Sequence, residues 1–361
     1  MHSWMSCTSE HGWRRGATWA LFLLTTLFGP ACTEQSADPD EMEEEGVVAS
    51  VQALSTTNGL ALNGLALNGL ALNGVSLNGL ALNGLALNGV SLNGTTFVGK
   101  TSSGKPMKPA DFLGATFTGT LSNGQTITLR IDDRVPTTRP DVFLYEISYL
   151  SSTNQNQWKS LCGETSSGVP RRAIPLAGVW DYSQKMPTSG MHLPSETSFT
   201  FACRPYAIAK CVELGYKPWS NVKECATPST CKEIPGVLLH QACTRMLRAD
   251  YCGDGVPHTQ DGTPVDVWDE FGIQEAATTD FAFEAEWTPT GARCIEHTRW
   301  HGDTSGSVAS YVNKQCPSRW ASAQPMYDCG GPNSTLHTAK GFVIPPIARS
   351  LIGNESALPS D

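Results

Sequence analysis

The chain has 361 residues, 40% of them hydrophobic and 16% charged, so it is long and apolar enough to bury a sizeable core. Its net charge is −9 with no basic run, which argues against nucleic acid as its main partner. Thirty-four Gly and 23 Pro predict a chain rich in turns.

Arg14 and Arg15 precede an apolar run over residues 17–28, which is too short to cross a bilayer. It ends in Gly29-Pro30-Ala31-Cys32. Positive charge, apolar run and small residues are the order of a secretory signal over residues 1–32, so the mature part is expected outside the cytoplasm. The segment resembles a bacterial lipoprotein signal, in which the Cys after the cleavage site receives the lipid. Gly29 stands where such signals prefer a branched apolar residue. Ordinary signal cleavage is the alternative, because Gly29 and Ala31 are both small. Cysteine parity supports the lipid: beyond Cys7 and Cys32 the body holds ten, which pair completely, whereas eleven would not. The resemblance implies lipid attachment at Cys32, a membrane as partner, and a place in the bacterial cell envelope. Without the lipid, the place is periplasmic or extracellular.

Residues 33–57 read as a tether. Glu34, Asp38, Asp40, Glu41, Glu43, Glu44 and Glu45 give this stretch most of the chain's acidity, and a solvated role follows. Residues 58–94 repeat every five positions, with Leu-Asn-Gly recurring at 62–64, 67–69 and onward to 92–94. Leu or Val fills the first slot, Ala or Ser the second, Leu the third. An apolar-small-apolar triplet makes a short strand with both large side chains on one face, and Asn-Gly supplies a positive-φ corner. The stretch resembles the pentapeptide-repeat family, whose chain winds as a four-sided right-handed β-helix. This implies a short β-solenoid with the Leu and Val slots inward. In that family the inward slots pair a small with a large residue and Asn or Asp precedes the Leu, whereas here both slots are large and Asn follows. A low-complexity apolar linker remains the alternative.

A globular body is expected over residues 100–350. Residues 115–131 read as a hairpin turning at Asn123-Gly124, residues 143–150 as a strand, and residues 198–202 as a strand with Phe199 and Phe201 on one face. Residues 206–214 and 240–251 have helical spacing and stop at Gly215 and Gly253. Residues 281–300 read as a hairpin around Pro289-Thr290-Gly291. Strands outnumber helices and are not interleaved with them as βαβ units, so the expected class is α+β with mainly antiparallel pairing.

The ten body cysteines are Cys162, Cys203, Cys211, Cys225, Cys231, Cys243, Cys252, Cys294, Cys316 and Cys329. No Cys-x-x-Cys occurs, which disfavours both structural zinc and a thioredoxin-type centre. Five intrachain disulfides are expected, their connectivity open among 945 pairings.

Residues 249–252 spell Ala-Asp-Tyr-Cys. Leu161-Cys162-Gly163, residues 173–178, Phe199-Thr200-Phe201-Ala202-Cys203 and Phe283-Glu284-Ala285-Glu286-Trp287 stand around it in order. Over roughly residues 115–300 the chain resembles the ADYC-domain family of exported bacterial proteins. The resemblance implies a compartment but no reaction.

Asp250, Asp254, His258, Asp261, Asp266 and Asp269 form the densest polar cluster, and carboxylates beside a His are acid/base chemistry in principle. Asp254-Gly255 and Asp261-Gly262 are also ordinary turn formers. His297 and His301 are too far apart on a strand to share an ion, and residues 302–307 read as a Gly/Ser surface loop. No cofactor or metal is expected. Seven tryptophans fall in the mature part, and each is expected in the core unless it serves a glycan. The leading expectation is a non-catalytic binding or structural module with an envelope glycan or protein partner. The alternative is an envelope hydrolase built on the acidic cluster from Asp250 to Asp269.

Overall fold

The computed structural model describes residues 90–101, 103–121, 126–150, 157–180, 189–194, 198–204, 206–227, 229–260, 262–276, 281–303, 306–323, 329 and 349–358, with the strand backbone of 56–57, 67–68, 70–71 and 76–77. The signal with Cys32, nearly all of the acidic tether, most of the repeat and Asp261 lie outside the described residues.

The last repeat unit opens the structure. Strand β1 (Val90–Asn93) pairs with β2 (Thr96–Gly99) across an Asn-Gly corner in which Gly94 has φ 59°. A side chain on Gly94 would stand 2.9 Å from the Asp141 carbonyl, so the corner needs glycine for space as well as for φ. Val90 is buried and Leu92 packs on the same core, as the apolar-small-apolar pattern requires. Its ladder partner is β2.

An antiparallel sheet follows, made of β3 (Ala115–Leu121), β4 (Thr126–Pro136), β5 (Phe143–Leu150), β6 (Trp158–Ser160), β7 (Ala173–Ala177) and β8 (Ser198–Cys203). The order is β3-β4-β5-β7-β8, with β6 also on β5. Short pieces of the repeat, Leu67–Asn68 and Ser76–Leu77, pair with β3, and Leu70–Ala71 pairs with β8. Phe97 sits at the centre of one face, its ring 5.2 to 6.1 Å from those of Phe112, Phe117, Tyr145, Phe199 and Phe201. Ile174, Leu176 and Ala202 contribute to a separate cluster with α1 (Ala207–Glu213).

The hairpin of β9 (Val222–Thr227) and β10 (Thr230–Ile234) leads into α2 (Gly236–Arg248). Strands β11 (Pro264–Asp269), β12 (Ala282–Thr288) and β13 (Gly291–Ile295), helix α3 (Val308–Gln315) and strand β14 (Ile352–Ser356) are the longer elements that follow. The second sheet runs β11-β14-β12-β13, antiparallel throughout, with Thr56–Thr57 paired outside β11. Helix α2 covers it: Leu239, Ala242, Cys243, Met246 and Leu247 share a buried cluster with Val265, Val267, Ala285, Trp287 and Ile352. His240 of α2 is fully buried, donates from Nε2 to the Ile208 carbonyl at 2.9 Å, and lies 5.2 Å from the Trp180 ring.

The architecture is α+β, mainly antiparallel, and the ten body cysteines make five disulfides: Cys162–Cys203, Cys211–Cys243, Cys225–Cys231, Cys252–Cys316 and Cys294–Cys329. All described residues belong to one unit, Asp38–Asp361. Several elements differ from the sequence expectation. Helix α2 starts at Gly236 and ends at Arg248 rather than running from 240 to 251. The second hairpin ends at Ile295, so His297 and His301 leave the strand; His297 bonds the Phe283 carbonyl and the Ser356 hydroxyl instead. The 302–307 loop is a tiny ladder whose Ser307 caps α3 through the Ser310 N–H at 3.0 Å. The buried core extends past both bounds of the 100–350 body, from Val90 to Ser356.

Candidate functional site

The Ala-Asp-Tyr-Cys segment begins where α2 stops. Arg245 and Arg248 occupy the last helical turn, where positive charge suits the helix dipole, but both are buried and so need partners. Ala249 takes a left-handed conformation, φ 49°, alone among the described non-glycine residues. Its N–H reaches the Met246 carbonyl at 3.0 Å, and the Asp250 N–H reaches the Arg245 carbonyl at 2.9 Å. This is a Schellman end, in which the residues corresponding to Arg245 and Asp250 ordinarily make a hydrophobic contact. Here the contact is an ion pair, Arg245 Nη1 to Asp250 Oδ2, with both side chains fully buried.

Every oxygen of Asp250 is used. Oδ1 accepts from the Asp254 N–H at 3.1 Å, and Oδ2 accepts from Arg245 and from the Gly255 N–H at 3.0 Å. Burial raises the carboxyl above its ordinary value, while the Arg245 charge and hydrogen bond pull it back down. A negative charge just past a helix C-terminus is unfavourable, and here a basic partner and two capped N–H groups offset it.

Gly253 does not stop the helix. It lies against the Thr290 carbonyl of the β12–β13 hairpin, with φ 68° and no room for a side chain, and Gly291 meets it from the other side. The Ala292 N–H donates to the Tyr251 carbonyl at 3.0 Å, so the motif docks backbone to backbone on the hairpin tip.

Tyr251 is fully buried, its ring stacked 5.4 Å from Trp287 and 6.1 Å from His258. Its hydroxyl donates to Glu284 Oε1 at 2.8 Å and accepts from the Arg299 N–H at 3.1 Å. Arg299 binds the same oxygen through Nε and Nη2, at 3.0 and 2.8 Å, and donates from Nη2 to the Met246 carbonyl at the end of α2. Asn354 of β14 donates to Glu284 Oε2 at 2.8 Å and accepts from Trp287 Nε1 at 2.7 Å. Burial acts to raise the Glu284 carboxyl, but Arg299, Ser356 and Asn354 together hold it below its ordinary value. Burial and the neighbouring Glu284 charge push the Tyr251 phenol well up. Cys252 ties the motif to Cys316 at the end of α3. We expect Tyr251→Phe to keep the stacking but lose both hydroxyl bonds, and to cost about 1–3 kcal/mol in urea unfolding.

Of the remaining acidic cluster, Asp254 and His258 come close to the motif. Asp254 Oδ2 accepts from the Tyr311 hydroxyl at 2.6 Å and Oδ1 from the Val256 N–H at 3.0 Å. His258 is buried between the rings of Tyr251 and Tyr311, the latter 4.5 Å away. Asp266 is buried on β11 opposite Glu355, and Asp269 organises the following turn, accepting from the N–H groups of Phe271, Ile273 and Gln274 and from the Tyr216 hydroxyl. Among the described residues no three His, Cys, Asp or Glu side chains are placed to hold a metal ion. An open groove of about 540 Å³ lies elsewhere, lined by Ala309, Asn313, Pro317, Trp320 and Ser322 of α3 and the chain after it. Trp180, Trp268 and Trp287 are buried, and Trp158, Trp219, Trp300 and Trp320 half-buried.

Fold and motif together define a disulfide-cross-linked α+β protein whose signature tetrapeptide closes a helix onto a sheet. The model of the ADYC domain matches residues 109–301, more than half of the chain, and the chain belongs to the ADYC domain family. No curated protein and no solved structure matches it. Five disulfides indicate an oxidising environment, and no helix among the described residues is long and apolar enough to cross a membrane. Sequence reasoning missed Glu284, Arg299 and Asn354. The only signal was a pair of acids in Phe283-Glu284-Ala285-Glu286-Trp287, which alternation assigns to solvent.

Proposed function

We propose that this protein is an exported, lipid-anchored and non-catalytic binding or structural module of the bacterial cell envelope. The observation that carries this reading is the internal use of the family motif. Asp250 and Tyr251 are fully buried with their oxygens bonded inside the chain, which leaves neither open to a substrate. Asp254 and His258 stand against Tyr311, and none of these residues lines the described groove. The internal bonding of Asp250 and the packing of Asp254 and His258 against Tyr311 favour this reading over a hydrolase built on the cluster.

The charge-apolar-small order of residues 1–32 and the disulfides support export. The pairing of ten body cysteines supports anchoring, because it leaves Cys32 as the odd thiol of the mature chain. The partner is an envelope glycan or protein, for which the groove lined by Trp320 with Asn313 and Ser322 offers an aromatic side chain beside polar ones. The full chain, expressed in a bacterium fed an alkyne-tagged fatty acid, is expected to carry the tag and to sediment with membranes. Cys32→Ser should lose both. A mature N-terminus without lipid, read by mass spectrometry at residue 32 or beyond, removes the anchored reading.

A further inference from the structure

Four of the five disulfides are built alike. Cys162–Cys203, Cys211–Cys243, Cys252–Cys316 and Cys294–Cys329 join residues 32 to 64 positions apart. Every cysteine in them is buried or half-buried. Cys225–Cys231 differs on both counts. It spans six positions, and both of its cysteines are exposed.

Its setting differs too. Cys225 and Cys231 face each other across β9 and β10, which pair with one another and form a two-stranded sheet of their own. No described residue from 223 to 233 is buried. The hairpin holds to the body at its base: Ile234 is buried, Val222 packs on the same cluster, Asn221 accepts from the Gly236 N–H at 3.2 Å, and Glu224 pairs with Arg349. The bond thus links two strands already joined by their ladder, and the body keeps all four long-range bridges when it opens.

We propose that Cys225–Cys231 is a thiol–disulfide exchange site, opened in the folded protein by a dithiol from the surrounding medium. Exchange requires a thiolate to approach one sulfur in line with the bond, and exposure controls that approach. The incoming thiolate forms a mixed disulfide with one cysteine, and the other leaves as a thiolate that takes a proton from water. The second thiol of the reductant then attacks the mixed disulfide. Cys225 and Cys231 end as thiols, the reductant ends as a disulfide, and two electrons have passed to the protein. A single monothiol reaches the mixed disulfide, which the freed cysteine reverses by expelling it or a second monothiol resolves to two thiols, so the same bond is a point of reversible covalent attachment.

The test uses the full chain, folded, with any free thiol first blocked by N-ethylmaleimide. Dithiothreitol is added at rising concentration without denaturant, samples are quenched with iodoacetamide, and labelled cysteines are mapped by peptide mass spectrometry. Cys225 and Cys231 are expected to label at least tenfold faster than the other eight, with near-UV circular dichroism unchanged while only they are labelled. The proposal is overturned if another pair labels as fast or faster, or if the tertiary signal falls in step with their labelling. The double variant Cys225→Ser/Cys231→Ser should lose the fast phase and keep the slow one; a fast phase that persists overturns it equally.

Discussion

Asp250→Asn is expected to lower stability by about 3–5 kcal/mol, the range for breaking a buried ion pair by removing one charge. For a body of this size that is a fall of roughly 10 °C in melting temperature. The substitution preserves shape but not hydrogen-bond polarity. Oδ1 faces the Asp254 N–H, while Oδ2 faces the Gly255 N–H and the Arg245 guanidinium. Whichever way the amide is turned, its NH₂ meets a donor, and Arg245 is left charged and fully buried. Asp254→Asn should cost far less: its oxygen still accepts from Val256, and the Tyr311 hydroxyl rotates to accept from the new amide. Thermal unfolding of both variants beside the parent checks this. An Asp250→Asn protein that melts at or above the parent temperature contradicts the structural role and returns the acidic cluster to consideration as an active site.

The second large effect is loss of stability in acid through His240. Burial lowers this imidazole to about 3, against an ordinary value of 6.5. The unfolded chain therefore takes up a proton as the pH falls below about 6.5, whereas the folded chain stays neutral until about 3. Proton binding by the unfolded state favours unfolding across that window, by about 1.4 kcal/mol per pH unit and about 4 kcal/mol by pH 3.5. His240→Gln keeps an N–H for the Ile208 carbonyl but does not titrate. Chemical unfolding at a series of pH values from 7 to 4 should show the variant's stability falling less steeply than the parent's, by one proton. Parallel curves would show that His240 is charged in the folded protein or contributes nothing.

Asp250 also marks what a reader of the sequence sees. Asp250 was legible because an acid near a helix C-terminus is unfavourable and must find compensation, and its partners follow from that need. The helix end itself was misplaced. Gly253 has the residue type of a stop signal, but its glycine is required by contact with Thr290, a neighbour that only the tertiary fold supplies. The Glu284 network was illegible for a different reason. Phe-Glu-Ala-Glu-Trp reads as alternating inside and outside, but every residue from Glu284 to Thr288 is buried, so the strand is covered on both faces and the alternation carries no exposure signal. Strand β14 was missed because Ile352-Gly353-Asn354-Glu355-Ser356 carries one large apolar residue, and all five positions are buried. Parity fixed the number of disulfides, whereas pairing depended on which elements meet in space.

The position of β14 has a consequence for how the chain assembles in time. It separates β11 from β12 in the sheet, but it is the last of the four labelled strands to be made, 57 residues after the end of β13. Where the chain emerges into the oxidising compartment at the pace of synthesis, about 5–20 residues per second, this slot stays empty for roughly 3–11 s after the β12–β13 hairpin is complete. During that interval β11 and β12 each present an open edge to the gap, and Glu284 and Trp287 wait for Asn354. The first sheet, closed locally by Cys162–Cys203, has no such dependence on late-arriving chain. Mispairing during biogenesis should therefore concentrate in the second sheet, among Cys252, Cys294, Cys316 and Cys329, while the first half of the body is already committed.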